Sequence, residues 1–317
     1  MAGDPIQEGQ LYEGRFQIEG LLGRGGMGEV WRAIDRTTQR EVALKVLLEK
    51  AARKRDLVAR FEREAKITGN IKSPYVCPLL DTGHTSSGEM FLVFQLIPGE
   101  SLADRLKRPP LMAFDEIASI VDDLLQGLQA AHAAGVVHRD LKPGNLILTP
   151  VPGEMPRAVI LAFGISKILK RERTSNEASL TTFDATLGSF AYMAPEQVRG
   201  AARADERADI YAVGAVCFRL LTGRLPFEGE SATTLLVGKL GGSAPSLEQV
   251  TGMRWPALIE QFLYRALARH RDDRFPSATE ALEAWRAIGE RFEQARAASQ
   301  PLLDRLGDDY EESARVA

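Results

Sequence analysis

The hydrophobic pattern of the chain changes character at Pro98-Gly99, and this change constrains the fold more than any other feature. Before it, short apolar runs at 16–22, 29–34, 41–47 and 91–94 read as strands. Only the stretch from Asp56 to Thr68 breaks that series, with Leu57, Phe61, Ala65 and Thr68 at helical spacing and charges on the opposite face. After Pro98-Gly99 the pattern becomes mainly helical. Ile117, Ile120, Val121, Leu124, Leu125 and Leu128 mark a long amphipathic helix ended by Gly135. Asp209 to Leu221 is a strongly apolar helix closed by Thr222-Gly223, and further helices are expected over Ala257 to Ala268 and from Ser277 past Trp285. Strands segregated from helices imply an α+β architecture. The expected organisation is a polar leader over 1–11, a small β-rich lobe with one main helix over 12–97, a larger helical lobe over 98–288, and a polar tail over 289–317 that is helical or a linker.

A chain of 317 residues can bury a sizeable core. A net charge of −3 and a pI near 5.9 argue against a nucleic-acid partner, which usually calls for a basic surplus. The basic run Lys50, Arg53, Lys54 and Arg55 is matched by nearby acids and reads as a solvated face. Cys77 and Cys217 lie far apart in apolar surroundings and are expected to be buried thiols, and four histidines give no cluster with metal-ligand spacing. No apolar run reaches about 18 residues and the start Met-Ala-Gly-Asp-Pro lacks a signal peptide, so no membrane segment and a cytoplasmic setting are expected.

Three segments carry chemistry. Gly23-Arg24-Gly25-Gly26-Met27-Gly28 satisfies G-x-G-x-x-G, a string that dinucleotide folds also use. Here a β-rich stretch with Val30 and Trp31 follows instead of a helix, which favours a hairpin folded over phosphates. Lys45 ends Val42-Ala43-Leu44-Lys45 in the next strand, where its amine can pair with phosphates if a carboxylate keeps it charged and aimed. Glu64 is the partner expected for it. His138-Arg139-Asp140-Leu141-Lys142-Pro143-Gly144-Asn145 then sets an acid and an amide five residues apart behind an Arg.

Together with Ala194-Pro195-Glu196 and Asp209, in this order, these segments resemble the eukaryotic-type Ser/Thr protein kinases of bacteria over roughly residues 12–288. The resemblance implies a bilobal protein-kinase fold, ATP and Mg2+ as cofactors, and proteins carrying Ser or Thr as substrates. It implies that Asp140 orients the substrate hydroxyl and takes its proton, that Lys142 neutralises the γ-phosphoryl group, and that Lys45 and Glu64 form the phosphate-binding pair. Gly23, Gly25, Gly26 and Gly28 would cradle the phosphates, Val30, Ala43 and Ile147 would sandwich the adenine, and Gln95 and Ile97 would read its edge through the backbone. Asn145 would ligate magnesium. Asp209 and the pair Glu196–Arg274 match structural positions, and His138 a packing position.

Arg139 precedes the catalytic Asp, and in the family a phosphate on the activation loop answers that cation. The Ser- and Thr-rich region 165–188 offers Thr174, Ser175, Ser179, Thr181, Thr182 and Thr186, and Ser189 matches the hydroxyl residue that floors the substrate site. Phe190 stands where the family often has Pro. A sharper departure is Ala162-Phe163-Gly164, where the pattern calls for Asp-Phe-Gly. The missing Asp is the main magnesium ligand, and a methyl group cannot coordinate a cation. The chain is therefore expected to be catalytically dead or strongly impaired. A natural pseudokinase acting as a nucleotide-binding scaffold or switch is one history. An engineered replacement is the other, favoured because Lys45, Glu64, Asp140, Lys142 and Asn145 are all kept. Ala194-Pro195-Glu196 and the hydroxyl-rich loop speak against a small-molecule phosphotransferase on the same fold.

Overall fold

The computed structural model describes residues 6–25, 28–47, 65, 67–86, 88–109, 111–161, 190–199, 204–229 and 231–291. Six strands form the first sheet: β1 (Leu11–Tyr12), β2 (Phe16–Gly25), β3 (Gly28–Asp35), β4 (Arg40–Leu47), β5 (Leu79–His84) and β6 (Met90–Gln95). They are antiparallel in the order β1-β2-β3-β4-β6-β5. The register decides what each face carries. Val30 lies opposite Lys45, Lys45 opposite Leu92, and Ala43 opposite Phe94, and directly opposed side chains share a face. That face joins Leu92 and Phe94 to Met90, Ala65, Cys77 and Val159, with Ala43, Ile97 and Leu161 packed against them. The intervening residues Val42, Leu44 and Val46 point the other way, into a cluster with Phe16, Trp31 and Phe91. One face of the sheet therefore closes a core of its own, and the other looks toward the rest of the molecule.

After β6 the chain runs without regular structure to β7 (Glu100–Ser101), which pairs with β8 (Leu146–Thr149), itself paired with β9 (Arg157–Ile160). Gly99 has φ +136°, and a Cβ there would stand 2.2 Å from the Leu148 carbonyl oxygen, so the turn into this small sheet requires glycine. The helices are α1 (Leu102–Arg105), α2 (Phe114–Ala133), α3 (Pro195–Arg199), α4 (Arg207–Thr222), α5 (Ala232–Gly241), α6 (Leu247–Thr251) and α7 (Ala257–Ala266), and residues 278–291 are helical. All residues of α4 from Ala208 to Phe218 are buried, and α2, α6 and α7 pack around it. A helix apolar on every side belongs at the centre of its lobe. The molecule thus has an α+β, two-lobed fold, a β-rich lobe followed by a helical one.

Some elements depart from the sequence expectation. The helix expected over Ala257 to Ala268 stops at Ala266, and β1, β5, β7, β8, β9, α1, α3, α5 and α6 were not anticipated. β5 mixes Asp81, Thr82 and His84 into an edge strand, and β7, β8 and β9 are too short to show a pattern. Of the helix expected from Asp56 to Thr68, only Ala65, Ile67 and Thr68 lie within the described residues, and they are helical. Cys77 and Cys217 are buried free thiols, and burial pushes both up, Cys77 to about 12. Among the described residues no helix is long and apolar enough to cross a membrane.

Candidate active site

The His138–Asn145 segment is assembled around one carboxylate. Asp209, at the start of α4 and wholly buried, accepts the backbone N–H groups of His138 (2.7 Å) and Arg139 (2.6 Å) and a bond from His132 Nε2 (2.9 Å). Burial pushes this carboxyl up, but the hydrogen bond and charge of His132 and the Arg139 N–H outweigh it, and it stays below its ordinary range. Two consecutive N–H groups can reach one carboxylate only if the backbone turns sharply. Arg139 makes that turn at φ +65°, a left-handed conformation that costs a non-glycine residue about 1 kcal/mol.

His138 locks the next step. Its Nδ1 accepts the Asp140 N–H (3.2 Å), so the ring proton sits on Nε2, which donates to the Leu161 carbonyl (3.0 Å). Leu161 in turn donates its own N–H to the Asn145 carbonyl (2.8 Å). The residue before Ala162 is thus tied to both ends of the 138–145 segment.

Within that frame, Asp140 Oδ2 gathers the reactive groups. Lys142 Nζ lies 3.2 Å from it, and Asn145 Nδ2 donates to the Asp140 carbonyl (2.7 Å) and reaches Oδ2 at 3.3 Å. With its nitrogen turned to Asp140, the Asn145 amide leaves its oxygen as the atom for a cation. Lys45 comes from β4 on the open face of the first sheet. Burial drives its amine below the ordinary value, the charge of Asp140 raises it and that of Lys142 lowers it, so the three groups feel one another across the gap between the lobes. Val30 and Ala43 flank Lys45 on the same face, half-buried like Ile147 of β8, while Gln95 and Ile97 lie at the end of β6 and just after it.

The two ammonium groups of Lys45 and Lys142 have the charge that a triphosphate would need. Magnesium needs oxygen ligands, for which Asn145 supplies one and the methyl side chain of residue 162 none.

Gly28 has a steric role: a Cβ there would stand 2.1 Å from the Val46 carbonyl oxygen, so β3 could not approach β4. At Gly23 a Cβ would meet nothing within 4 Å, which leaves space above the strand for a ligand.

Comparison with known proteins places this arrangement. The protein kinase domain family matches residues 16–284. The chain belongs to the protein kinase family. It is 36% identical over 271 residues to the serine/threonine-protein kinase pkn3 of Myxococcus xanthus, covering 85% of this chain and 49% of that one. It is 35% identical over 268 residues to the serine/threonine-protein kinase PknD of Mycobacterium tuberculosis, covering 84% and 38%. The chain thus spans about half or less of the length of these curated relatives. Among solved structures, the PknI kinase domain of Mycobacterium tuberculosis matches with a TM-score of 0.68 and 25% identity, over 90% of this chain and all of that one.

In this kinase domain the segment 190–199, which follows the Ser- and Thr-rich region in sequence, is fastened from three sides. Arg274, fully buried, makes a two-pronged pair with Glu196 at 2.8 Å and 2.8 Å and donates to the carbonyls of Ala268 and Arg207. Gln197 accepts the Ala194 N–H (2.9 Å) and donates to the Arg139 carbonyl (2.9 Å), which joins this segment to the Asp140 loop. Lys239 of α5 holds the third side. Sequence reading missed Gln197, Lys239 and His132, because each acts on backbone groups or on a distant carboxylate and leaves no local pattern. Gly26, Glu64, Ala162, Thr174, Ser175, Ser179, Thr181, Thr182, Thr186 and Ser189 lie outside the described residues.

Proposed function

We propose that this domain is a Ser/Thr protein kinase, transferring the γ-phosphoryl group of ATP to protein hydroxyls, and that Ala162 leaves the chain inactive or strongly impaired. The observation that carries the reading is the convergence of Lys142 and Asn145 on Asp140 Oδ2, in a loop fixed by Asp209. Asp140 takes the proton of the attacking hydroxyl, and its carboxylate is held in one orientation for that purpose. Lys142, already beside it, offsets charge on the phosphoryl group in transit. Lys45, kept charged by Glu64, binds the phosphates, with Gly23, Gly25, Gly26 and Gly28 letting the hairpin backbone approach. Val30, Ala43 and Ile147 hold the adenine, and Gln95 and Ile97 present backbone groups to its edge. Magnesium offsets the charge of the phosphates when bound, and Asn145 would hold one ion. By the family pattern an Asp at position 162 would supply the main magnesium ligand, and Ala162 supplies none.

We place the lobe boundary at Pro98-Gly99, within a chain of leader 1–11, lobes 12–97 and 98–288, and tail 289–317, and the reaction in the cytoplasm, where ATP is available. An active form would be switched on by phosphate between Thr174 and Thr186, with Arg139 as its counter-charge. Mass spectrometry of an Ala162→Asp variant should find phosphate in that segment, and replacing its hydroxyl residues by Ala should lower the rate. An unmodified segment, or an unchanged rate, would place the switch elsewhere.

The test of the activity itself is Ala162→Asp followed by ATP phosphotransfer to a generic Ser/Thr substrate, which should turn a silent chain into an active one. The scaffold reading makes the opposite prediction. Retention of Lys45, Asp140, Lys142 and Asn145 together favours the kinase.

A further inference from the structure

Lys239 is 1% exposed and carries a charge that the phosphotransfer chemistry does not use. Its Nζ donates to three backbone carbonyls, those of Phe190 (2.9 Å), Ala191 (2.7 Å) and Met193 (2.8 Å), which matches the three protons of an ammonium group. The same nitrogen lies 5.2 Å from the centre of the Tyr211 ring, and Arg274, which holds Glu196, lies 4.9 Å from that centre. Burying an ammonium is costly, and here burial pushes the amine down to about 7. The carbonyls carry the matching problem. Three carbonyl oxygens turned toward one point repel each other unless a cation sits there. The backbone of residues 190–193 therefore needs Lys239 to keep this shape.

Leu235, one turn earlier on α5, is buried in the core of the helical lobe and fixes the helix from which Lys239 reaches. The segment it holds runs directly into Ala194-Pro195-Glu196, and Gln197 ties the far end of that run to the Arg139 carbonyl. We infer that Lys239 is a positioning residue for the protein substrate: its ammonium shapes the 190–193 backbone on which the acceptor peptide lies. This rests on the kinase reading above. It assigns to α5 a control over substrate binding that is separate from ATP binding.

The experiment uses the full chain carrying Ala162→Asp, with and without Lys239→Met, which keeps length and removes charge and donors. Lys239→Gln, which keeps an N–H donor without the charge, is the milder second variant. The KM for a Ser/Thr protein substrate should rise about tenfold in Lys239→Met, as loss of about 1.4 kcal/mol of binding would give, and by less in Lys239→Gln. The KM for ATP should stay within about twofold, because no ATP-binding group is touched. Amide exchange followed by mass spectrometry, on the chain as it stands and without turnover, should quicken over 190–197 and not over 40–47. Unchanged exchange over 190–197 in Lys239→Met, or a shift in the KM for ATP with none for protein, would overturn the assignment. Silence of the Ala162→Asp parent would count against the kinase reading alone, and the exchange measurement would still decide the role of Lys239.

Discussion

One carboxylate, Asp209, holds the site together at the scale of single residues. It has no access to water, and the donors it serves are two main-chain N–H groups and His132. Removing it leaves those donors buried with nothing to accept them, at about 1–3 kcal/mol for each group. Asp209→Ala should therefore lose at least about 3 kcal/mol in urea unfolding followed by tryptophan fluorescence, and Asp209→Asn, which keeps one acceptor oxygen, should lose less. A loss under about 1 kcal/mol in Asp209→Ala would contradict the account. Because its carboxyl is held below the ordinary range, the stabilisation it gives is present at neutral pH and falls away as acid protonates it. The left-handed turn at Arg139 depends on the same residue, so loss of Asp209 should also disturb the Asp140 loop.

At the scale of elements, α2 and β9 meet through a group whose protonation changes near pH 6. Asp123 of α2 accepts the Ala158 N–H (2.8 Å), yet burial, with the charge of Asp122, pushes its carboxyl up to about 6. A raised carboxyl holds its proton in the folded state where the unfolded chain has lost it. Its contribution is complete below about pH 4 and is lost as pH rises through 6. Across that window the chain should lose on the order of 3 kcal/mol of stability from this residue. Asp123→Asn keeps an acceptor for Ala158 and should remove that slope, and denaturation midpoints at pH 4.5 and 7.5 would read it. Equal slopes in both proteins would show that Asp123 does not titrate in this window. The elements also show what could be read from sequence. α4 was legible because Asp209 to Leu221 is apolar on every side, and β2, β3, β4 and β6 because their residues alternate or run apolar. α5 was not legible, since Ala232-Thr233-Thr234-Leu235-Leu236-Val237-Gly238 lacks a charged face, and its one buried Lys answers carbonyls that any sequence carries. Asp140, Lys142 and Asn145 could be singled out as candidates because their proposed chemistry resides in side chains, and the fold brings them together. The roles of Gly28 and Lys239 were hidden because they depend on which backbone comes near.

For the whole molecule, the facing surfaces of the two lobes carry different parts of one reaction under the proposed reading. The sheet presents Lys45 between Val30 and Ala43, and the helical lobe presents Asp140, Lys142 and Asn145 from a loop anchored on α4. The anchoring hydrogen bonds run among His132, His138, Arg139, Asn145, Leu161 and Asp209. Family membership fixes the scaffold, and under the proposed reading the side chain at 162 decides whether that scaffold transfers phosphate. The most direct test is the rate of phosphate transfer from ATP to a Ser/Thr protein by the chain as it stands and by Ala162→Asp, measured side by side with magnesium. The account predicts a rate at background for the first and a gain of at least about a hundredfold for the second, the scale of restoring one main electrostatic contact in a transition state. Equal rates for the two proteins, or an Ala162→Asp variant that binds ATP and transfers nothing, would contradict it.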